Sequence, residues 1–190
     1  MIARRKNTGF SMIEVLVTIL ILMIGLLGLA GLQGRALTSQ MEAYQRSQAL
    51  ILLRDMESRI NANRNNAPVY ATTSLVPAAL GTGAACPATT GNAIADADLC
   101  EWHNELLGAA ETQSGVGNVG AMIGARGCVY QTVPPVPASG VPGEYLIAVA
   151  WQGFNSTAAP IIGCGSGQYG NEAQRRVVAL PVTIANLTAP

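Results

Sequence analysis

The stretch Gly9-Phe10-Ser11-Met12-Ile13-Glu14, with the apolar run behind it, decides the fold of this chain. From Val15 to Gly34 there are twenty residues without a charge, which as a helix would span about 30 Å, the thickness of one hydrocarbon core. Only Glu14 is acidic, and it stands at the entrance of the run. A carboxylate near the centre of a bilayer costs on the order of 2.5–3.5 kcal/mol. The sequence therefore predicts a membrane helix whose one carboxylate needs a positive partner.

Charge gives the orientation of this helix. Arg4, Arg5 and Lys6 precede it, and basic residues favour the cytoplasmic side of a membrane. The amino terminus is therefore expected in the cytoplasm and the rest of the chain outside it. Without residues 1–9 the chain keeps eight basic against eleven acidic residues, which gives no electrostatic footprint for nucleic acid. A length of 190 residues suffices for one domain with a core in addition to the anchor.

The opening segment resembles the class III signal of type IV pilins and pseudopilins. In that family a short basic leader ends in Gly, the residue after the cut is usually Phe, and a Glu follows within the first turn of the mature chain. The resemblance implies that prepilin peptidase cuts after Gly9, that Phe10 becomes an N-methylated terminus, and that Glu14 serves in charge pairing during assembly.

Two further segments resemble one subgroup of this family more specifically. Residues 24–33 and 54–63 resemble PilV-type minor pilins, and the start of a short helix at 98–102 and a strand at 175–177 match them loosely. The resemblance implies a structural subunit that helps initiate pilus assembly in a tip or priming complex. Its partners would be other minor pilins, the major pilin and the inner-membrane assembly platform. A type II secretion pseudopilin is the nearest alternative, and a tip-exposed adhesive binding module is another.

Two other interpretations of the apolar run compete with the pilin signal. An ordinary secretory signal could be cut after Gly28-Leu29-Ala30, but its apolar core is typically 7–15 residues long, and this run is longer. The charged side chain of Glu14 would also be unusual inside the apolar core of a secretory signal. A plain single-span membrane anchor is the second interpretation. The pilin interpretation predicts a single-pass inner-membrane protein with a periplasmic head, which then moves into a pilus at or near its tip.

The chain is expected to divide into four parts. These are a leader (1–9), a transmembrane or filament-core half of one helix (10–34), an amphipathic half (35–63) and a globular head (64–190). The whole helix would be roughly 80 Å long. Apolar residues recur near helical spacing in its second half and predict the face that meets the core; they are Leu37, Met41, Tyr44, Leu52, Met56 and Ile60.

The predicted fold class is α+β, the type IV pilin fold, with the long helix packed on an antiparallel sheet of three or four strands and a loop-rich head. Runs of Val, Ile, Tyr and Trp predict strands at 127–133, 144–152 and 175–184. Pro181 lies inside the last run, so that strand should be an edge. A further strand is expected near 69–72. A short helix is also expected, with Asp96 or Asp98 as its N-cap and Gly108 at its end.

Glycines recur every three residues at Gly25, Gly28, Gly31 and Gly34. Each costs up to about 1 kcal/mol relative to Ala inside a helix. Either they let neighbouring helices pack closely, or they form a segment that loosens on entering a filament. Many major pilins carry a Pro near the position of Gly31, so the place of any kink stays open.

The four cysteines, Cys86, Cys100, Cys128 and Cys164, all lie in the predicted head, where an oxidising compartment permits disulfides. Of the three pairings, we predict Cys86 with Cys100, stapling a loop to the short helix, and Cys128 with Cys164, tying a strand to the loop before the last strand. A metal site at Cys100 and His103 is the alternative, but no paired Cys-x-x-Cys unit is present.

No residue pattern indicates catalysis. His103 is the single histidine and is interpreted as a packing or surface residue, and no phosphate-binding glycine loop ending in Lys-Ser/Thr occurs. Trp102 is interpreted as a core anchor. The sequence therefore predicts neither an enzyme nor a cofactor nor a metal site.

Overall fold

The computed structural model describes residues 9–72, 79–83, 85–86, 90–108, 112–113, 117–118 and 122–185. The chain divides into two compact units, Met1–Met41 and Glu42–Pro190. Residues 1–8 of the predicted leader (1–9) lie outside the described residues.

One helix, α1 (Met12–Ala62), runs from the first unit into the second and confirms the predicted long helix. Its buried residues are Gln45, Ala49, Leu53, Met56 and Ile60, which recur every three or four positions and so form one face. The predicted face was wrong at its beginning: Leu37, Met41 and Tyr44 are 62%, 50% and 48% exposed. These three residues lie on a strip of the helix surface beside the buried face. Helical spacing alone does not show which of the two strips packs against the core.

The head contains the predicted three-stranded antiparallel sheet. Its strands are β3 (Arg126–Val133), β4 (Gly143–Gln152) and β5 (Arg175–Ile184), in the order β3-β4-β5. A separate two-stranded ribbon pairs β1 (Thr112–Gln113) with β2 (Gly117–Asn118). Within the described residues β5 pairs only with β4, and Pro181 lies opposite Leu146, which confirms the predicted edge strand.

Side chains alternate along β4 and divide the core into two clusters. Tyr145, Ile147, Val149 and Trp151 belong to the main cluster, which also holds the buried face of α1. Ala148 and Ala150 belong to a smaller cluster on the other side of the sheet, which contains Cys128 and Cys164. Both faces of β4 are thus covered, as its mostly apolar sequence requires.

The short helix α2 (Ala93–Leu106) begins earlier than predicted. Asn92 is the N-cap, and its side chain accepts a hydrogen bond from the Ala95 N–H at 3.0 Å. The predicted caps were wrong, because the Asp96 carboxylate instead accepts bonds from the backbone and hydroxyl of Thr90. Gly108, with φ 84°, follows the end of the helix as expected.

Trp102 anchors α2 in the main cluster, as predicted. It is fully buried, and its indole N–H donates to the Leu52 carbonyl of α1 at 3.0 Å. Its ring lies directly over Gly127 of β3, where a Cβ would collide with it. Glycine at this position therefore lets α2 approach the sheet.

The strand predicted at 69–72 was wrong. A 3-10 helix, Arg64–Tyr70, follows α1 and buries Ala67 and Tyr70. Pro68 lies inside this helix and carries no N–H for a strand ladder. Thr72 instead reaches the outer edge of β3 through its side chain, whose hydroxyl accepts a bond from the Val129 N–H at 2.9 Å.

Candidate assembly site

The two residues that flank the predicted cleavage site, Gly9 and Phe10, are exposed and lie just before α1. Phe10 is 84% exposed, and a Cβ built on Gly9 would meet no atom within 4 Å. Both residues precede the helix, which begins at Met12. The geometry leaves this peptide bond free of contacts with the described residues, while cleavage and methylation at this place stay predictions.

Glu14 lies in the first turn of α1, where its backbone N–H donates to the Ser11 carbonyl at 3.0 Å. The positive end of the helix dipole favours a carboxylate at this position. Across the part of the chain that the structure describes, the Glu14 carboxylate forms no ion pair. Its side chain is therefore open to a positive group from elsewhere.

The apolar half of α1 has no partner within the described chain. α1 is the one helix among the described residues that is long and apolar enough to cross a membrane, with a hydropathy of 2.8 in its most apolar window and none of that window buried. Exposed side chains in this half include Leu20, Ile21 and Leu22. A surface this apolar needs lipid or other protein chains around it.

The repeated glycines lie in this same half. A Cβ added to Gly25, Gly28, Gly31 or Gly34 would meet no atom within 4 Å. No contact inside the described chain therefore requires a glycine at these positions. Close packing against another helix, one of the two interpretations made from the sequence, has no partner among the described residues.

Comparison with known proteins agrees with this geometry. Residues 4–30 match the family model of the prokaryotic N-terminal methylation motif, and residues 31–100 match that of the Tt1218-like type IV pilins. The chain belongs to the type IV pilin family. Pilins of this kind are structural subunits and not enzymes. No significant match was found among curated proteins or among solved structures.

The motif and the apolar helix together make this pilin a membrane-anchored protein that becomes part of a pilus. The two matches meet at residue 31, inside α1. Together they cover all of α1 and continue to residue 100, inside α2.

In the pilin head the four cysteines form two disulfides, Cys86–Cys100 and Cys128–Cys164, which are the pairs expected from the sequence. The first joins the segment before α2 to that helix. The second joins β3 to the loop between β4 and β5, beneath Ala148 and Ala150 in the smaller core cluster.

His103 is a packing residue. It is 2% exposed, and its Nδ1 accepts a hydrogen bond from the Gly81 N–H at 3.1 Å. Burial, followed by the nearby Arg126 charge, lowers the pKa of His103, so the ring is neutral at neutral pH. Cys100, its neighbour in the metal alternative, is held in a disulfide. Among the described residues no three potential ligands come together around a metal position.

An ion-pair cluster, which we call the Arg59 clasp, holds α2 against α1. The Arg59 guanidinium contacts four carboxylates: Asp55 at 2.6 Å, Asp98 at 3.4 Å, Glu101 at 2.7 Å and Glu105 at 3.1 Å. Its side chain is only 15% exposed. The clasp was not predicted from the sequence. A usable signal existed, since the acidic residues at 98, 101 and 105 share one face of α2.

One cation among four carboxylates changes how these groups titrate. Burial, with the neighbouring Asp55 charge second, raises the pKa of Glu105 to about 7, and this outweighs the opposing pull of Arg59. The more exposed Glu101 is different, because its hydrogen bond from Arg59 lowers its pKa. Burial and the bond to Asp98 raise the pKa of Tyr70 to about 12. The clasp thus has a carboxyl group that titrates near neutral pH.

Two consecutive arginines hold the loop between β4 and β5. The buried Arg175 pairs with Glu172 at 2.6 Å and donates to the carbonyls of Pro160, Ile162 and Cys164. These bonds satisfy a guanidinium that is 3% exposed. The loop residues 160–164 are therefore fixed by contacts with β5 and do not rely on regular structure of their own.

Arg176 points to the other face of β5 and holds a different part of the same loop. It donates to the Thr157 hydroxyl at 2.7 Å and to the Asn155 carbonyl, and it pairs with Glu42 of α1 at 3.4 Å. From the sequence, Arg175 and Arg176 were predicted only as part of a strand, and their contacts with this loop were not predicted.

Proposed function

We propose that this pilin is a minor pilin that helps initiate assembly in a priming or tip complex. Support comes from the resemblance of residues 24–33 and 54–63 to PilV-type minor pilins. The observation that carries the mechanism is Glu14, a carboxylate at the start of an exposed apolar helix that forms no ion pair with any residue the structure describes. Its partner, on this proposal, is the amino terminus of an adjacent subunit.

The proposed pathway begins in the inner membrane. The amino terminus faces the cytoplasm, α1 crosses the bilayer, and the head with its two disulfides lies in the oxidising periplasm. Prepilin peptidase cuts after Gly9 and leaves the amine of Phe10, which stays positive after methylation. The assembly platform then brings the mature subunit to other minor pilins and to the major pilin.

The pairing of Glu14 follows from distance and charge. Within one subunit Glu14 lies about one helical turn from Phe10, so a pair inside the subunit is within reach. A pair between subunits does more, because it relieves two charges in an apolar environment at once and sets the axial position of one subunit against the next. Docking of the free subunit would then be favourable only in one register.

The proposal is tested by Glu14→Gln, which keeps the shape and removes the charge, and by Glu14→Ala, which removes both. The matched control is Glu144→Gln, since Glu144 is exposed in the head and forms no ion pair within the described residues. Both Glu14 variants should still be cut after Gly9 but should fail to co-purify with partner pilins. Normal incorporation of Glu14→Gln into assembled pili would show that the charge does not recruit this subunit.

Processing is checked separately by mass analysis of the mature protein. We expect an N-methylated Phe10 as the first residue. A terminus at Gly31 would instead show cleavage by an ordinary signal peptidase after Ala30 and would contradict the proposed maturation.

The pilus role is distinguished from secretion by deleting the gene in the source organism. Loss or strong reduction of surface pili, restored by the wild-type chain, is expected. Normal pili combined with a defect in type II secretion, and co-purification with secretion pseudopilins, would contradict the minor-pilin role.

A further inference from the structure

A pocket of about 250 Å³ opens at one end of the sheet, outside the assembly site. It lies where the 3-10 helix after α1 meets the β3–β4 loop, the beginning of β4 and the end of β5. Its lining residues are Arg64, Asn65, Ala67, Pro68, Pro135, Pro137, Gly143, Tyr145, Ile184 and Ala185.

The walls of the pocket are held in place. In the β3–β4 loop, Val136 and Val141 exchange two backbone hydrogen bonds, at 3.1 and 3.2 Å, around the short turn that carries Pro137. A Cβ on Gly143 would come within 2.9 Å of Cε2 of Tyr145 and within 3.3 Å of Cδ of Pro135. A side chain at Gly143 would therefore crowd both the tyrosine ring and the Pro135 ring, which is itself rigid.

Two hydrogen-bond donors of the pocket, Arg64 and Tyr145, have no acceptor among the described residues. Arg64 is exposed, and its guanidinium forms no ion pair or hydrogen bond with any residue that the structure describes. Tyr145 is 1% exposed, and its oxygen accepts from the Gln131 amide at 3.4 Å, but its own proton meets no acceptor in the described part of the chain. Burial raises the pKa of Tyr145, so the hydroxyl keeps its proton at neutral pH.

The lining contains a cation, a free phenolic O–H and the Asn65 amide, and none of the ten lining residues is acidic. The remainder is apolar, supplied mainly by proline, alanine and isoleucine. A carboxylate could accept from both Arg64 and Tyr145, and charge-assisted bonds of this kind are stronger than neutral ones. The attached apolar group would cover the prolines and Ile184.

We propose that this pocket binds a small apolar group that carries a carboxylate, such as the carboxyl-terminal residue of a polypeptide or a free organic acid of the same size. The volume is below the roughly 300–1,000 Å³ of pockets for larger ligands, so one aromatic or branched residue fills it. Arg64 binds the carboxylate, Tyr145 donates the second hydrogen bond, and Gly143 keeps the space open.

The test uses the full chain, isotopically labelled, in detergent micelles. Backbone amide NMR signals of Gly143 and Ala185 are followed during titration with three probes. These are phenylpropionate, an acetylated alanyl-alanyl-phenylalanine with a free carboxyl terminus, and the same peptide with an amidated terminus. We expect saturable shifts with a Kd on the order of 1 mM for the acids, and binding at least about tenfold weaker for the amide.

Variants assign the roles of the two donors. Arg64→Gln should weaken acid binding about tenfold and bring it to the level of the amide. Tyr145→Phe, which keeps the ring, should weaken it severalfold. Arg54→Gln is the matched control, because Arg54 is also exposed and unpaired among the described residues but lies outside the pocket.

Each outcome bears on the proposal. Tighter binding of the peptide acid than of phenylpropionate would identify a chain terminus as the natural ligand, and equal binding would identify a small organic acid. Equal binding of the acid and amide peptides, an unchanged affinity in Arg64→Gln, or no saturable shift at the two pocket amides would overturn it.

Discussion

Replacing Arg59 by glutamine should destabilise the pilin head by about 3 kcal/mol at pH 7. The guanidinium contacts four carboxylates within 3.4 Å, and Asp98 and Glu105 among them are 20% and 27% exposed. Removing one partner of a buried charge pair costs about 3–5 kcal/mol, because the remaining charge stays unpaired. The lower end applies here, since Asp55 and Glu101 can still reach water.

The loss should be visible as earlier unfolding in urea of the full chain in detergent micelles, followed by tryptophan fluorescence. Trp102 is a suitable reporter, because its indole bonds the Leu52 carbonyl only while α2 lies against α1. The control is Arg54→Gln on the same helix, an exposed and unpaired side chain in the described structure. We expect it to change stability by no more than about 0.5 kcal/mol.

The effect of Arg59→Gln should also shrink in acid. As Glu105 and, at lower pH, Glu101 take up protons, part of the repulsion among the carboxylates disappears and the missing cation matters less. The reasoning would be refuted by a loss below about 1 kcal/mol at pH 7, or by a loss of equal size at pH 4 and pH 7. Either result would mean that the clasp contributes packing but little electrostatic stability.

Three further predictions concern the head. The pKa of Glu105 is about 4.5 in the unfolded chain and about 7 in the folded protein. The free energy of unfolding should therefore fall by on the order of 1–3 kcal/mol as pH rises through this window. Urea titrations at pH 5 and pH 8 should show this fall for the wild type, and Glu105→Gln should abolish it. Replacing both Cys128 and Cys164 by serine should cost about 4 kcal/mol for a separation of 36 residues, and peptide mapping that links Cys128 to any other cysteine would contradict the pairing. A fragment beginning at Gly34 should be soluble and monomeric, whereas one beginning at Ala67 should give no cooperative melt, since it lacks the buried face of α1.

The long helix and the three strands could be predicted because their signals are local. A run of apolar residues without proline predicts a helix, and strand runs rich in Val, Ile and Tyr predict a sheet wherever turn residues bound them. The methylation motif is equally local. The residues of the candidate assembly site could therefore be named from the sequence, while their roles in cleavage, methylation and charge pairing stay predictions.

The sequence-based predictions were wrong where tertiary contacts determine the burial or the secondary structure of a residue. Tyr44 and Gln45 are neighbours in sequence, but the polar one is 4% exposed and the aromatic one is 48% exposed. Residues 69–72 have strand-forming side chains, yet Tyr70 is buried in a 3-10 helix and bonded to Asp98. Asn92, and not Asp96, is the N-cap of α2, because the Asp96 carboxylate accepts hydrogen bonds from the backbone N–H and the hydroxyl of Thr90.

The Arg59 clasp and the pocket were not predicted at all, because both join distant segments. Arg59 reaches Glu105 across 46 positions, and the pocket draws on residues from 64 to 185. A charged residue on a helix surface gives no sign of which element will cover it. Glycine at 127 likewise looks like a weak point in a strand until the ring of Trp102 is seen above it.

The two arginines at the beginning of β5 also determine how that strand can align. Since side chains alternate, sliding β5 by one residue would turn Arg176 towards the carbonyls of residues 160–164 and turn Arg175 away from them. The same slide would move Pro181, which has no N–H, into a position of the ladder that requires a donor. A misaligned strand would thus leave a guanidinium and a ladder carbonyl unsatisfied together. Contacts near both ends of β5 therefore favour the observed register over a shift of one residue.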